Sequence, residues 1–414
     1  MPIIKLGLTF FLIIYLQRMK CQLGYAMLIG SFLLALMFGM PLSLMFKSAG
    51  LACVERTTLE LAGIVALILI LSSIMEERGQ LKRILFSMQL FVHNAKVILI
   101  MVPALIGLLP MPGGALFSAP MVKQASEKMG LSPVQNTVIN YWFRHIWEYV
   151  WPLYPGIILA SRLSGISLSR LALAQLPLTI VMLISGFLFY LRNGKKETAE
   201  TCCGGSAEIN GVDPGAVNGK DAAARLFIDG LPIILVVFLV LLLNLNMIVA
   251  LLVSIFAALI IGRVKAGDVP KLLFKNIPAN MIVLVFGIMV FKAIIKDSGS
   301  IGGVTGFLQS YNVPVLFMVA ILPFIAGILT GISVGFVGIA FPIVLSLLEV
   351  TGYGLSHIVL AFGAGFIGVM LSPVHLCLIV TKDYFGAQFG AVYRALLMPV
   401  VPVAATLVIL FIIY

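Results

Sequence analysis

The sequence predicts an all-α polytopic membrane protein built as two inverted repeats. Hydrophobic residues make up 61% of its 414 residues and charged residues only 10%, whereas a soluble domain carries about 25% charged residues. Runs such as Leu61–Ile74 and Leu231–Leu245 contain no charge and approach the roughly 20 residues that span a bilayer. A single long polar stretch, Arg192–Arg225, divides the chain near its middle. Each half is expected to hold five transmembrane helices, one of them broken by proline at the midplane, and one re-entrant hairpin.

The first repeat is predicted over residues 1–192. Its continuous spans are expected at about 3–16, 23–46, 58–75 and 167–191. A hairpin is expected at about 97–127, and a helix broken by proline over 133–160. Pro110, Pro112 and the two glycines that follow interrupt the hairpin, because proline removes a backbone donor and glycine permits turns. Arms of roughly 13 residues reach only about 20 Å into a hydrocarbon core about 30 Å thick, which favours a re-entrant hairpin.

The second repeat is predicted over residues 225–414, after a cytoplasmic linker at 193–224. Its continuous spans are expected at about 226–243, 246–262, 280–296 and 390–413. The hairpin is expected at about 313–349, and the broken helix at 355–381. The predicted interruption of this hairpin consists of Gly331, Gly335 and Gly338.

Short sequence matches align the two halves in order. PALIG at 103–107 corresponds to PFIAG at 323–327, and the break at Pro152 corresponds to the break at Pro373. Five spans and a hairpin give each half an odd number of membrane crossings. The second half is therefore expected to enter the membrane upside down relative to the first.

The basic residues predict the orientation of the chain. The formal net charge is +11, but the basic residues cluster at the ends of apolar runs, as the positive-inside bias predicts, so nucleic acid is not an expected partner. If both termini lie outside, most of the 27 Lys and Arg residues fall in cytoplasmic loops. The central linker is then also cytoplasmic. The expected location is the cell (inner) membrane.

The five cysteines show no spacing typical of a metal site. No metal or cofactor is therefore expected beyond a coupling ion. The vicinal pair Cys202–Cys203 falls in the predicted linker, where thiols stay reduced in the cytoplasm, and its role is left open.

Four breaks in the predicted helices indicate one central cavity. Irregular backbone at membrane depth is tolerated only where protein or a water-filled cavity surrounds it, and the amino-terminal ends of half-helices attract anions. The candidate substrate-binding residues at or near these breaks are Gly113, Gly114, Ser118, Thr330, Ser333 and Ser372. The hydroxyls of Thr330, Ser333 and Ser372 are also candidate sodium ligands. The alternative is that the glycines only allow close helix packing and the prolines only kink the helices.

The segment NYWFRHIWEYVWPLYPG, residues 140–156, places Arg144, His145 and Glu148 within an apolar helix. Charges there are costly and usually functional, so all three are candidate substrate-binding residues. Arg144 and Glu148 are spaced to pair on one helical face. One hypothesis makes Arg144 the anchor of a substrate carboxylate, with Glu148 as its partner or as a proton carrier. The other makes the two residues a structural ion pair.

Tyr154 and His375 occupy matched positions, each two residues after the proline of a break. Each break is therefore expected to have a hydrogen-bonding side chain beside it, and both residues are candidates for the substrate site. A lone histidine is nonetheless often structural. The three tryptophans all fall within residues 142–151, which is typical of either an interfacial belt or a cavity wall.

The twofold plan of hairpin and broken helix resembles the ion transporter superfamily, which includes divalent anion:sodium symporters, gluconate and citrate permeases and some sodium/proton antiporters. Within that group, PMPGGALFSAP, SPVHLCLI and the segment 140–156 look like an uncharacterised family of integral membrane proteins. The resemblance implies an elevator-type homodimer whose substrate site lies between the hairpin tips and the broken helices. The tips depart from the Ser-Asn-Thr motifs of dicarboxylate symporters, so only backbone roles carry over to Gly113 and Thr330.

Together these features predict a secondary active transporter, not an enzyme, for a small anionic solute such as a carboxylate or an oxyanion, coupled to sodium or protons. The alternative is a sodium/proton antiporter in which Glu148 and His375 carry protons. A lipid-phosphate translocase is a further alternative, because re-entrant hairpins suit headgroup binding. An intramembrane enzyme is the alternative from another class, although the sequence contains no HExxH motif.

Overall fold

In the computed structural model, every regular element of the described residues is a helix, which confirms the predicted all-α membrane fold. The structure describes residues 2–89, 92, 94–111, 113–127, 129–191, 219–300, 314–352 and 354–414. Within them, five helices are long and apolar enough to cross a membrane: Arg56–Glu77, Leu168–Leu191, Ala223–Leu242, Ala279–Asp297 and Phe389–Ile413. Most of the predicted linker, the pair Cys202–Cys203 and Pro112 lie outside the described residues.

The first half of the chain begins with five helices and continues with a helical hairpin and an interrupted helix. Its helices are α1 (Pro2–Arg18), α2 (Leu23–Met37), α3 (Leu42–Val54), α4 (Arg56–Glu77), α5 (Gln80–Gln89), α6 (Ala95–Ile106), α7 (Ala115–Glu127), α8 (Pro133–Arg144), α9 (Pro155–Ser164) and α10 (Leu168–Gly186), which continues as a π-helix to Leu191. Helix α8 begins at a capping box, in which Ser132 and Gln135 each accept a hydrogen bond from the other's backbone N–H. Helix α9 begins at Pro155, where a missing N–H is tolerated.

The predicted continuous span at 23–46 is wrong, because two helices occupy this region. Helix α2 ends at Met37, Gly39 adopts a left-handed φ of 71°, and α3 begins directly after Pro41. Glycine tolerates that conformation, and proline suits the start of a helix. The uninterrupted hydrophobicity of the segment concealed this break.

The second half of the chain also carries a helical hairpin followed by an interrupted helix. Its helices are α11 (Gly219–Val237), which continues as a π-helix to Leu242, α12 (Met247–Ile261), α13 (Val269–Lys275), α14 (Ala279–Asp297), α15 (Val315–Thr330), α16 (Ser333–Thr351), α17 (Leu355–Met370), α18 (Leu376–Phe385) and α19 (Phe389–Ile413). Hairpin 1 is defined as α6 and α7, and hairpin 2 as α15 and α16. The helix interrupted after hairpin 1 is α8 and α9, and the one after hairpin 2 is α17 and α18.

The tip of hairpin 2 is shorter than predicted. Helix α15 ends at Thr330, its C-cap Gly331 has a left-handed φ of 67°, and α16 already begins at Ser333. Gly335 and Gly338 were therefore wrongly predicted to be part of the interruption, since both lie inside α16. A Cβ on Gly338 would overlap the side chain of Ile288, so this glycine allows α16 to pack closely on α14. The two arms contain 16 and 19 residues, which corresponds to about 24 and 28 Å of helix.

Helices of the two halves pack in reciprocal pairs. Helix α2 packs on α14, and α4 packs on α12. The first arms of the hairpins, α6 and α15, pack on α8 and α17, which precede the breaks of their own halves. The second arms, α7 and α16, pack on α18 and α9, which follow the breaks of the opposite halves. The hairpins and interrupted helices of both halves consequently meet in the buried core.

Candidate functional site at the helix breaks

The two interrupted helices meet through their breaks. Break 1 is defined as residues 145–154, between α8 and α9, and break 2 as residues 371–375, between α17 and α18. Nε2 of His145 lies 3.0 Å from Nε2 of His375. Both side chains are buried, so this contact joins the two halves of the chain in the interior.

Glycines bring the tip of hairpin 2 against both breaks. A Cβ on Gly331 would lie 3.0 Å from the Ser372 hydroxyl oxygen and from the backbone nitrogen of His375. A Cβ on Gly156 would lie 2.7 Å from Cβ and Oγ of Ser333. Because Gly156 is in the first turn of α9 and Ser333 begins α16, the amino-terminal ends of these two helices lie side by side at the break.

Arg144 connects the tip of hairpin 1 to the same place. It is the last residue of α8, and its side chain is only 2% exposed. Its guanidinium donates a hydrogen bond to the Met111 carbonyl at 2.7 Å, whereas its Nε has no partner. A Cβ on Gly114 would lie 2.5 Å from Nη2 of Arg144, so a larger residue there would displace the guanidinium, while the space at Gly113 is open.

The predicted pairing of Arg144 and Glu148 on one helical face is wrong. Helix α8 ends at Arg144, so the i, i+4 spacing no longer places the two side chains on the same face, and no salt bridge joins these two described residues. The Glu148 carboxylate instead lies 3.8 Å from Nε2 of His145 and near the Ser333 side chain. Arg144 is therefore a buried cation without a carboxylate at salt-bridge distance in the described chain.

Cys377 completes a cluster that the sequence analysis missed. Metal-binding atoms of His145, His375 and Cys377 lie within 4.8 Å of one another, and all three residues are buried. The only local signal was that Cys377 follows His375 by two residues. The third member precedes His375 by 230 residues, which no sequence spacing rule covers.

The three predicted sodium ligands surround the tip of hairpin 2. Thr330 donates its hydroxyl to the carbonyl of Ala326 at 2.8 Å, and Ser372 donates its hydroxyl to the carbonyl of Ile328 at 2.6 Å. Ser333 lies at the start of α16, against Glu148. The donated hydroxyls keep oxygen lone pairs that can accept a further bond or contact a cation.

Ser118 ties hairpin 1 to helix α8. Its hydroxyl donates to Oδ1 of Asn140 at 2.6 Å, and the Asn140 amide donates to the carbonyl of Ala115 at 2.9 Å. Both side chains are fully buried. The predicted role of Ser118 in substrate binding stays a prediction, and Asn140 is a partner that the sequence analysis did not identify.

Side chains of break 1 bind the carboxyl-terminal end of α6. The indole N–H groups of Trp147 and Trp151 donate to the carbonyls of Ala104 and Leu108 at 2.9 and 2.8 Å. The Tyr154 hydroxyl donates to the carbonyl of Gly107 at 2.6 Å. Carbonyls at the end of a helix lack partners within the helix. These aromatic side chains satisfy them and hold hairpin 1 against the break.

The letters GISVG at residues 331–335 match the Gly-x-Ser-x-Gly pattern of hydrolase nucleophiles. That pattern is functional on a sharp turn between a strand and a helix, whereas Ser333 follows a helix and begins another. In the described part of the chain, no histidine hydrogen-bonds its hydroxyl. The geometry therefore does not match this hydrolase motif.

These features define a class of protein, an all-α membrane protein whose two interrupted helices and two hairpin tips meet around a buried arginine and a histidine pair. The chain belongs to the family described as protein of unknown function (DUF401), which matches residues 5–210 and 213–414. The comparison with curated proteins returned no match.

A solved structure shares this fold. The YdaH transporter of Alcanivorax borkumensis, described as having an unusual topology, is similar with a TM-score of 0.64 and 14% sequence identity. The similarity covers 90% of this chain and 88% of that one. At this low identity the likeness establishes the shared fold alone.

Proposed function

We propose that this protein is a secondary active transporter of a small anionic solute, either a carboxylate or an oxyanion. The observation that carries the proposal is Arg144, a buried guanidinium with an unused Nε and no carboxylate partner in the described chain. A buried charge without a counter-ion is costly. A bound anion would supply that counter-ion, and the planar guanidinium suits the geometry of carboxylates and oxyanions.

The helix next to Arg144 favours the same kind of ligand. Helix α7 begins at Ala115, immediately after Gly114, and Gly114 touches the guanidinium. The amino-terminal end of a helix carries partial positive charge and attracts anions. We therefore place the anion between Arg144 and the tip of hairpin 1, next to Gly113, where the space is open.

Matched contacts support two inverted repeats, the arrangement that allows alternating access. Gly107 and Gly327 correspond in the sequence alignment, and a Cβ on either would overlap a carbonyl of the helix that follows its hairpin, that of Arg144 in α8 or that of Gly365 in α17. The similarity of fold to a protein described as a transporter supports transport as the function.

The remaining features of the transport cycle are proposed from the resemblance and the charge bias. We propose an elevator-type movement in a homodimer in the cell (inner) membrane, with both termini outside and the central linker in the cytoplasm. Sodium is the proposed coupling ion, because the hydroxyls of Thr330, Ser333 and Ser372 surround the tip of hairpin 2.

A sodium/proton antiporter is the second candidate. It is favoured by Glu148, a buried carboxylate that forms no salt bridge with Arg144 and lies beside Ser333 and His145. Such a protein would respond to sodium without an organic or inorganic anion as its substrate.

The test is a thermal-stability screen of the detergent-purified protein against small carboxylates, phosphate and other oxyanions, each in sodium and in potassium. A ligand at 100 times its dissociation constant adds about 2.7 kcal/mol to the free energy of unfolding. Stabilisation by one anion class is expected in the wild type and in Arg162→Gln, whose arginine lies at the surface beside Glu60. It should be lost in Arg144→Gln, and the same anion should accumulate in liposomes that contain the wild type.

A stabilisation that survives Arg144→Gln would contradict the proposed anion site. A response to sodium alone, with no anion dependence, would instead favour the antiporter. Arg144→Lys keeps the charge but removes the guanidinium fork, so it should weaken anion binding without abolishing it.

A further inference from the structure

The cluster of His145, His375 and Cys377 is not used by the proposed anion site. We propose that these three residues, with Glu148 as a fourth ligand, form a binding site for a transition-metal ion of the zinc class. The proposal goes beyond anion transport, and it does not depend on it.

The hydrogen bond of His145 orients this ring for metal binding. Its Nδ1 lies 2.6 Å from the backbone carbonyl of Tyr141, and a carbonyl can only accept. Nδ1 therefore carries the proton, and the lone pair of Nε2 points towards His375. Metal-bound histidines are typically held in this way, with the other ring nitrogen donating to a carbonyl or a carboxylate.

The second histidine faces the same point with its own Nε2, at 3.0 Å. Without a cation, His375 must donate from Nε2, which leaves its Nδ1 as a lone pair, and this buried atom has no hydrogen-bond partner. With a cation, both Nε2 lone pairs bind the ion and the proton of His375 moves to Nδ1. The backbone of Gly331 packs against the backbone of His375, and its carbonyl would be the acceptor for Nδ1–H.

The distances suit a four-coordinate ion after small movements. Bonds of about 2.0 Å to nitrogen in a tetrahedral site hold the two nitrogens about 3.3 Å apart, a few tenths of an ångström more than the 3.0 Å observed. The Cys377 sulfur lies within 4.8 Å of both histidines, and a Glu148 oxygen lies 3.8 Å from Nε2 of His145. Rotation of the Cys377 and Glu148 side chains would bring the sulfur and the carboxylate to an ion held by the two histidines.

The chemistry of the ligands selects the ion. Two imidazoles and a thiolate favour zinc and neighbouring transition metals over sodium, magnesium and calcium, which prefer oxygen ligands. Cys377 releases its thiol proton to the solvent when its sulfur binds the metal. The thiolate and the Glu148 carboxylate would offset the charge of the ion. The ion would also join break 1 to break 2, and so the first half of the chain to the second.

The experiment is a titration of the detergent-purified full chain with Co²⁺, a spectroscopic probe for zinc sites, followed by displacement with Zn²⁺. We expect one Co²⁺ per chain, with the visible bands of a four-coordinate ion and a thiolate-to-cobalt charge-transfer band in the near ultraviolet. Cys377→Ser should lose the charge-transfer band, and His375→Gln should lose Co²⁺ binding. The matched controls Cys53→Ser and His357→Gln should behave like the wild type.

Two results would overturn the metal site. One is the absence of stoichiometric Co²⁺ binding, and the other is a charge-transfer band that disappears in Cys53→Ser but not in Cys377→Ser. The melting temperature of the wild-type protein is a second measurement that needs no variant. It should be higher in Zn²⁺ than in a chelator, and an unchanged melting temperature would contradict the proposal. Metal binding without any stabilisation by anions would support this site and contradict the proposed function. Stabilisation by an anion without metal binding would contradict this site and support the proposed function.

Discussion

The two hairpins occupy matched positions in the chain but are held to the following helix by different chemistry. In hairpin 2, helix α15 lies directly on α17, because a Cβ on Gly327 would overlap the Gly365 carbonyl and a Cβ on Gly368 would overlap the Phe324 carbonyl. Small residues allow this close approach of helices in membranes. The contact is mainly one of backbone against backbone.

Hairpin 1 shares one such backbone contact, that of Gly107 with the Arg144 carbonyl, but its other contacts with the following segment are made mainly by long side chains. Aligning the two prolines of the breaks places Arg144 and Trp147 opposite Gly365 and Gly368. Arg144 ends its helix, and Trp147 donates to the carbonyl of Ala104. One matched pair of bonds persists in both halves, since Trp151 donates to the Leu108 carbonyl and Ser372 donates to the Ile328 carbonyl.

The difference accounts for the unequal breaks. Close glycine packing lets α17 continue to Met370 and leaves a break of residues 371–375, whereas α8 stops at Arg144 and leaves a break of residues 145–154. The longer irregular segment has room for His145 and Glu148. The second half of the chain therefore supplies close packing, and the first half supplies most of the polar chemistry of the site.

The largest effect is expected from disturbing the backbone contact of hairpin 2. Gly368→Ala would force its Cβ onto the Phe324 carbonyl, and overpacking of this kind costs about 1–3 kcal/mol, here at the upper end of that range. Thermal unfolding in detergent measures the loss. The control is Gly63→Ala, whose Cβ would meet nothing within 4 Å and which should stabilise α4 by about 0.5–1 kcal/mol. Equal behaviour of the two variants would refute the packing argument.

A smaller effect is expected from removing one side-chain bond of hairpin 1. Tyr154→Phe leaves the buried carbonyl of Gly107 without its donor, at a cost of about 2 kcal/mol. Hydrogen exchange should become faster in residues 95–127 and stay unchanged in hairpin 2. Tyr190→Phe is the matched control, because its hydroxyl donates to the carbonyl of Ala395, in a different helix. Faster exchange of hairpin 1 in that control would show that the effect is not local.

The smallest effect is expected at the side-chain bond between break 2 and hairpin 2. Ser372→Ala removes the donor to the Ile328 carbonyl, at a cost of about 1 kcal/mol, and faster hydrogen exchange should be confined to residues 315–351. Ser346→Ala, whose hydroxyl bonds the carbonyl of Pro342 within the same helix, should leave the tip unaffected. If Ser372→Ala destabilised the protein more than Gly368→Ala, the assignment of packing to hairpin 2 would be wrong.

Much of the fold could be predicted from sequence because the relevant forces are local. Hydrophobic runs select membrane helices, and the prolines and glycines near residues 110–114 and 331 stop them. The predictions failed where a local signal has two meanings. Gly335 and Gly338 looked like part of an interruption but serve close packing inside α16, and the apolar run over residues 23–46 concealed the turn at Gly39.

By itself, the sequence determined the class of protein, the approximate positions of most helices and the segments in which Arg144, Glu148 and His375 lie. Only the tertiary structure decided which of these side chains meet. It separated Arg144 from Glu148 by ending α8 between them, and it joined His145 to His375 and Cys377. The physical reason is that composition and spacing act through the backbone of one helix, whereas contacts over 230 residues depend on how whole helices pack.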